Sequence, residues 1–217
     1  MSLRLAPAVA PIAVLMVLSG APAARVHACA FDGGAAVGLF DGSFVALYPK
    51  SSVVYFAIVD AVDQGVLDRS AFEPIVPGPS GYWRAVGRLR DIAQRLSAAA
   101  ASLPRLDAAI SLVLVESDLW ARFEPTEQGF ELAAHTSGPR PGDIVVVTSE
   151  GGLAAVMEGR LAASAAFERG LIAVDADDGA RAAVQALMLA ALDPAQSAQL
   201  QSPAARRAPM RFFAPRR

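Results

Sequence analysis

Residues 143–175, DIVVVTSEGGLAAVMEGRLAASAAFERGLIAVD, carry the densest run of secondary-structure signals in the chain. The β-branched run at 144–147 predicts a strand, and Ser149 is a residue type that caps helix N-termini. Gly159 and Gly170 suit the left-handed conformation in which helices commonly end. The stretch therefore predicts the order strand, helix, helix, strand. The predicted elements are a strand at 144–147, a helix from Ser149 to Gly159, a helix at 162–168 and a strand containing Ile172 and Val174.

Strand patterns also precede this stretch. Residues 110–115 form a β-branched run, and residues 119–123 and 130–134 alternate apolar and polar side chains. Because the polar turn at 125–129 separates the last two segments, we expect an antiparallel meander.

Helical periodicity brackets these strands. Apolar residues recur every three or four positions from Tyr82 to Leu96, and Asp177 or Asp178 can cap a last helix. Ser51 or Ser52 can cap an earlier helix that ends at Gly65. The predicted class is α+β: a five-stranded, mostly antiparallel sheet covered on one face by helices, with a helical or irregular N-terminal extension.

Composition excludes several functional classes. The 217 residues are 54% hydrophobic and 18% charged, with a net charge of -2, which rules out a chain disordered throughout and indicates no nucleic-acid partner. One cysteine cannot form an internal disulfide, and two histidines are too few for a zinc cage without nearby carboxylates. We therefore expect no metal and no cofactor.

The N-terminus has the features of an export signal. Arg4 precedes an apolar stretch of about 14 residues, too short to span a bilayer, and small residues follow it. Cleavage can follow Ala23 or Ala28, and the second site would place Cys29 first, which leaves a lipoprotein as the alternative. The expected localisation is periplasmic or secreted. The expected organisation is a signal peptide at 1–28, an extension at 29–79, a folded domain at 80–192 and a disordered Arg/Pro-rich tail at 193–217.

Residues 143–175 also resemble a known family. Asp143, Val145 and Val147 lead to Ser149, and then follow Gly159, Leu161, the Ala166-Phe167 pair, Gly170, Ile172 and Val174. This order is similar to that of the sterol carrier protein 2 (SCP2) family of lipid-binding domains, over roughly residues 81–192. The resemblance implies a hydrophobic ligand, such as a fatty acyl chain, phospholipid, sterol-like or isoprenoid molecule. Residues 29–79 have no counterpart in it.

A cavity between the sheet and its helices would be lined by inward-facing apolar side chains. Met157 and Met188 are favoured contacts because methionine adapts to guests of several shapes, whereas ordinary core is the alternative for every position. Ile110 is expected to face inward as well. The expected ligand-contacting residues are Leu112, Leu114, Phe123, Phe130, Leu132, Val146, Met157, Phe167, Ile172, Leu187 and Met188.

Catalytic patterns are missing from the sequence. It contains no G-x-S-x-G and no glycine-rich nucleotide fingerprint, and Asp175, Asp177 and Asp178 lack the closing glutamate of a calcium loop. His135 is expected at a surface, and only Ser149, Glu150 and Glu158 remain for an enzyme acting on bound lipid. We expect a non-catalytic carrier of a hydrophobic ligand. The alternative is an accessory module, filled by its own core, that assembles with an unknown protein partner. The five arginines of the tail allow transient contact with an anionic membrane surface.

Overall fold

The computed structural model describes residues 43–68 and 79–193. The predicted signal peptide, Cys29, parts of the predicted extension (residues 29–42 and 69–78) and the Arg-rich tail from residue 194 lie outside the described residues. The described elements are the helices α1 (Ser43–Leu47), α2 (Lys50–Asp63), α3 (Pro79–Ala100), α4 (Glu150–Met157), α5 (Ala163–Glu168) and α6 (Asp178–Leu192), and the strands β1 (Ile110–Leu114), β2 (Leu119–Thr126), β3 (Gly129–Thr136), β4 (Ile144–Thr148) and β5 (Ile172–Asp175).

The five strands form one sheet in the order β3-β2-β1-β4-β5. β1, β2 and β3 make the expected antiparallel meander, and β4 and β5 are also antiparallel. β4 lies beside β1 rather than β3, and this pair is parallel, with Ile110 opposite Ile144. The predicted α+β class with a mostly antiparallel sheet is confirmed.

Local signals place the helices after β4 as expected. The Ser149 hydroxyl accepts a hydrogen bond from the Gly152 N–H at 2.8 Å, and Asp177 caps α6 through the Ala180 N–H at 2.9 Å. Gly159 and Gly170 follow α4 and α5 with φ of 72° and 77°. Each residue performs the terminating or capping role that its chemistry favours.

α3 and α6 lie over one face of the sheet, the face that carries Phe123 and Leu132. α3 runs along β3 and packs against α6. Phe123 is fully buried, and Leu89 and Ile92 of α3 are fully buried as well. This is the helical layer that the sequence predicted.

The opposite face is covered by the N-terminal helices. Trp120 points to this face and is 1% exposed, because the rings of Phe44 and Tyr48 pack on it at centroid distances of 6.2 and 4.9 Å. α2 contacts β4 and β5. The helical part of the extension is therefore integral to the core. Helix α2 of the extension begins at Lys50. The Ser51 and Ser52 hydroxyls do not cap this helix; they donate hydrogen bonds to the carbonyls of Tyr48 and Pro49.

No helix within residues 43–68 and 79–193 has both the length and the hydropathy required of a bilayer-spanning segment.

Candidate functional site

A pocket of about 430 Å³ opens at the end of the helical face, beside the β2–β3 turn. Its walls come from the C-terminal end of α3, the connection to β1, the turn at 125–129 and one side of α6. This volume lies within the range of about 300 to 1,000 Å³ that is typical of small-molecule sites.

The pocket has an apolar body and a polar rim. Apolar side chains from the α3–β1 connection, β2, β3 and α6 form the body: Leu103, Leu106, Pro125, Phe130, Ala183, Ala186 and Leu187. The rim includes Arg105 and Gln128. Arg105 contacts Asp107 at 3.4 Å, and both side chains are largely exposed, so this ion pair is weak. Such a pocket suits a molecule with an apolar chain and a polar end.

Ser97 of α3 fixes the shape of the pocket. Its hydroxyl donates to the Ala93 carbonyl at 2.8 Å and accepts from the Phe130 N–H at 2.8 Å. Gly129 has φ of 128°, and a Cβ built there would overlap the Ser97 side chain. Only glycine permits this close approach, which joins the hairpin to α3.

The structure distributes the residues predicted to face inward between pocket and core. Phe130 and Leu187 line the pocket. The positions that are at most 2% exposed lie inside the packed core: Ile110, Leu112, Leu114, Phe123, Val146, Ile172 and Met188. Three half-buried residues pack against that core: Leu132, Met157 and Phe167. Ligand contact stays a prediction at every one of these positions, including Phe130 and Leu187.

The remaining pocket residues carry weak sequence signals. Leu103 and Leu106 flank Pro104 in a connection, and Ala183 and Ala186 lie on the exposed side of α6. Strand alternation and helix periodicity identify core faces, whereas this pocket forms where elements end. The one usable signal is a pair of leucines in a proline-containing loop.

A buried carboxylate lies at the other end of α3. Glu116 follows β1, and its side chain accepts hydrogen bonds from the Glu150 N–H at 2.8 Å and the Gly151 N–H at 3.3 Å. Burial raises the pKa of Glu116 to about 7, and the nearby Glu150 charge adds to this, although both N–H donors oppose it. Glu116 therefore caps the positive end of α4 from outside that helix.

The three residues considered for lipid chemistry each have a structural partner. Ser149 caps α4, as described above. Glu150 accepts from Arg84 at 3.1 Å and Arg88 at 2.9 Å, which joins α4 to α3. Glu158 is exposed and pairs with Arg160. Each of the three side chains thus takes part in a contact within the fold.

A second cluster of polar side chains joins strands β1 and β2 to the residue that precedes β4. Asp143 accepts from Ser111 at 2.7 Å and from Arg122 at 2.9 and 3.0 Å. Burial alone would raise the pKa of Asp143, but the hydrogen bonds from Arg122, Ser111 and the Arg140 N–H outweigh it and hold the pKa below its usual range. Both side chains are largely buried, with Arg122 at 12% and Asp143 at 3% exposure, so this ion pair stabilises the packing between β2 and the start of β4.

The acidic residues near α6 also act in capping. Asp177 is the N-cap of α6, and Asp178 pairs with Arg181 in the first turn. Across residues 43–68 and 79–193, no three His, Cys, Asp or Glu side chains converge as metal ligands.

His135 lies near the end of β3 with φ of 60°. The centroids of the His135 and Tyr82 rings are 5.8 Å apart.

Comparison with known proteins gives distant structural likenesses. No protein-family model and no curated protein matches the sequence. The UbiJ-SCP2 ubiquinone synthesis protein is 17% identical with a TM-score of 0.29 over 48% of this chain and 78% of its own. TT1886 of Thermus thermophilus, whose description relates it to sterol carrier protein, is 18% identical with a TM-score of 0.30 over 49% and 83%.

The sec-alkylsulfatase Pisa1 of Pseudomonas sp. is 14% identical with a TM-score of 0.34, over 44% of this chain but only 15% of its own. Solved structures similar to this chain thus include SCP2-domain proteins. All three TM-scores are below 0.5, so no ligand or activity is transferred from these proteins.

Proposed function

We propose that this protein binds a hydrophobic or amphipathic small molecule without chemical conversion, in the pocket between α3, α6 and the β2–β3 turn. The supporting observation is the pocket itself, with about 430 Å³ of space, an apolar body and a polar rim. The candidate ligands are a fatty acyl chain, a phospholipid, a sterol-like molecule or an isoprenoid. The proposed location is outside the cytoplasm, because of the N-terminal signal pattern, and N-terminal sequencing of the mature protein tests that part.

The pocket sets an upper limit on affinity. A chain of about 14 methylenes gains about 11 kcal/mol on leaving water, at about 0.8 kcal/mol for each methylene. Association costs at least about 4 kcal/mol, which leaves about 7 kcal/mol, or a Kd no tighter than about 10 µM. Binding of this strength suits a carrier that releases its ligand.

Two alanines on α6 allow a matched test. Ala186 is exposed and lines the pocket, whereas Ala182 is exposed on the same helix and does not line it. Native mass spectrometry after gentle extraction should detect lipid with the wild type and with Ala182→Trp, and little with Ala186→Trp, because the indole would fill the pocket. The absence of bound lipid in all three, together with no uptake of added fatty acid, would reject the proposal.

The accessory module is a second candidate, and the packing of the core supports it. Most of the predicted ligand-contacting side chains lie against one another inside the sheet-helix interface. In this case the pocket would stay empty and the function would lie on the surface. This candidate would be favoured if no lipid is detected and if a substitution on the surface abolishes binding to a protein partner.

A further inference from the structure

The N-terminal helices hold most of the exposed apolar side chains in the described chain. Six large apolar residues are exposed within residues 43–68 and 79–193, and five of them belong to α1 or α2. The α2 patch consists of Val53, Tyr55, Phe56 and Val59, and Phe56 is the most exposed at 68%. Clustered exposure of this kind marks an interaction surface, whereas scattered residues do not.

The other side of α2 is already used by the core. Val54, Ile58 and Ala61 are buried beneath it. α2 is therefore apolar on two sides, a pattern typical of helices that become buried on both sides. The patch needs a partner of its own.

The charges along α2 favour a second copy of this chain. Lys50 begins the helix, and Asp60 and Asp63 end it, so the two ends have opposite charges. The helix dipole has the same order, positive at the N-terminal end and negative at the C-terminal end, so antiparallel packing places unlike ends of the two copies together in both respects. The two aspartates disfavour docking on an anionic membrane.

Phe56 lies at the middle of α2, where a two-fold axis would place it against its own copy. At about 100° per residue, Lys50 and Asp60 lie on the same side of Phe56, at about 120° and 40° around the helix. A two-fold axis perpendicular to the helix places a residue of the second copy on the same side of the contact but at the opposite position along the helix axis. Lys50 of one copy therefore faces Asp60 of the other.

We propose that two copies of this chain associate through antiparallel packing of their α2 patches about a two-fold axis at Phe56. The contact is small: α2 is about 21 Å long and about 10 Å wide, on the order of 200 Å² for each copy. Standard interfaces bury about 800 Å² on each partner, so the association is a concentration-dependent equilibrium.

Sedimentation velocity of the full chain over a roughly hundredfold concentration range tests the proposal. The wild type should progress from one chain mass toward two. Phe56→Glu opposes two carboxylates at the axis and should weaken association at least about tenfold. Trp83→Glu, which changes an exposed aromatic residue outside the patch, should associate as the wild type does. A monomer at all concentrations, or association that Phe56→Glu leaves intact, would overturn the proposal.

Charge exchange tests the antiparallel geometry. Lys50→Glu and Asp60→Lys should each weaken association, and the double variant should restore it, because the cross-copy pair is re-formed with reversed signs. Failure of the double variant to recover would overturn this arrangement. Two other results would also overturn the proposal. One is a lowered Tm in Phe56→Glu at concentrations where the wild type is a monomer, which would mean that the chain itself covers the patch. The other is Phe56-dependent binding to phosphatidylcholine vesicles without self-association.

Discussion

Replacing Glu116 with glutamine should remove a pH-dependent part of the stability. The carboxyl group is buried at the start of α4, which raises its pKa from the ordinary 4.5 to about 7. The native state therefore holds this proton more tightly than the unfolded chain does. Its stabilising effect is complete below about pH 4.5 and is lost as the pH rises through about 7.

The size of the effect follows from the two pKa values. The gap between 4.5 and about 7 corresponds to about 3 kcal/mol, at about 1.4 kcal/mol for each pH unit. About 2.5 kcal/mol of this loss falls between pH 5 and pH 8. Glutamine keeps the shape of the side chain and one acceptor for the Glu150 N–H, but it cannot ionise.

Urea unfolding of both proteins, followed by circular dichroism at several pH values, measures the difference directly. The advantage of the wild type over Glu116→Gln should shrink by about 2.5 kcal/mol from pH 5 to pH 8. Carboxyl NMR of the native wild type should show Glu116 titrating near 7. A difference that is constant with pH, together with titration near 4.5, would refute this account of the burial.

Three further substitutions test the packing of the fold, and chemical unfolding measures each of them. Gly129→Ala should cost about 1 to 3 kcal/mol, because it strains a positive φ and pushes against Ser97; a neutral result would contradict the close approach. Arg122→Met should lower the urea midpoint of unfolding, because it leaves Asp143 with fewer partners; an unchanged midpoint would show that water replaces the guanidinium. Phe44→Ala should cost about 3 to 5 kcal/mol if α1 belongs to the core, and an unchanged stability would mean that α1 is dispensable.

Sequence reasoning located the elements that have local signals. Ser149, Asp177 and Gly170 act at the helix ends that their chemistry predicts. Alternation correctly marked β2 and β3, because from Ala121 to His135 the apolar residues on one face of that hairpin are less exposed than the polar residues on the other. These features depend on neighbours within a few residues, so a single sequence is sufficient for them.

The contacts between elements that are distant in sequence were harder to predict. The parallel pairing of β1 with β4 joins segments about 30 residues apart, and no local signal encodes it. The docking of α1 on Trp120 depends equally on distant partners. One available signal was the composition of β1: ISLVL shows no alternation, and its burial on both faces agrees with a strand covered by helices on each side.

The site illustrates the same limit. Most of the residues predicted to face inward are enclosed, but enclosure does not distinguish a packed core from a ligand wall. Phe130 and Leu187 reach the pocket because they lie beside the ends of elements. The position of a pocket depends on where helices and turns stop, which periodicity defines to within a few residues only.

The most direct measurement is a titration of a fluorescent fatty acid with the wild type and the two α6 variants. The wild type and Ala182→Trp should show saturable uptake with a Kd of about 10 µM or weaker, and Ala186→Trp should bind at least about tenfold more weakly. Uptake that is not saturable in the wild type, or that is the same in Ala186→Trp, would contradict a ligand in this pocket.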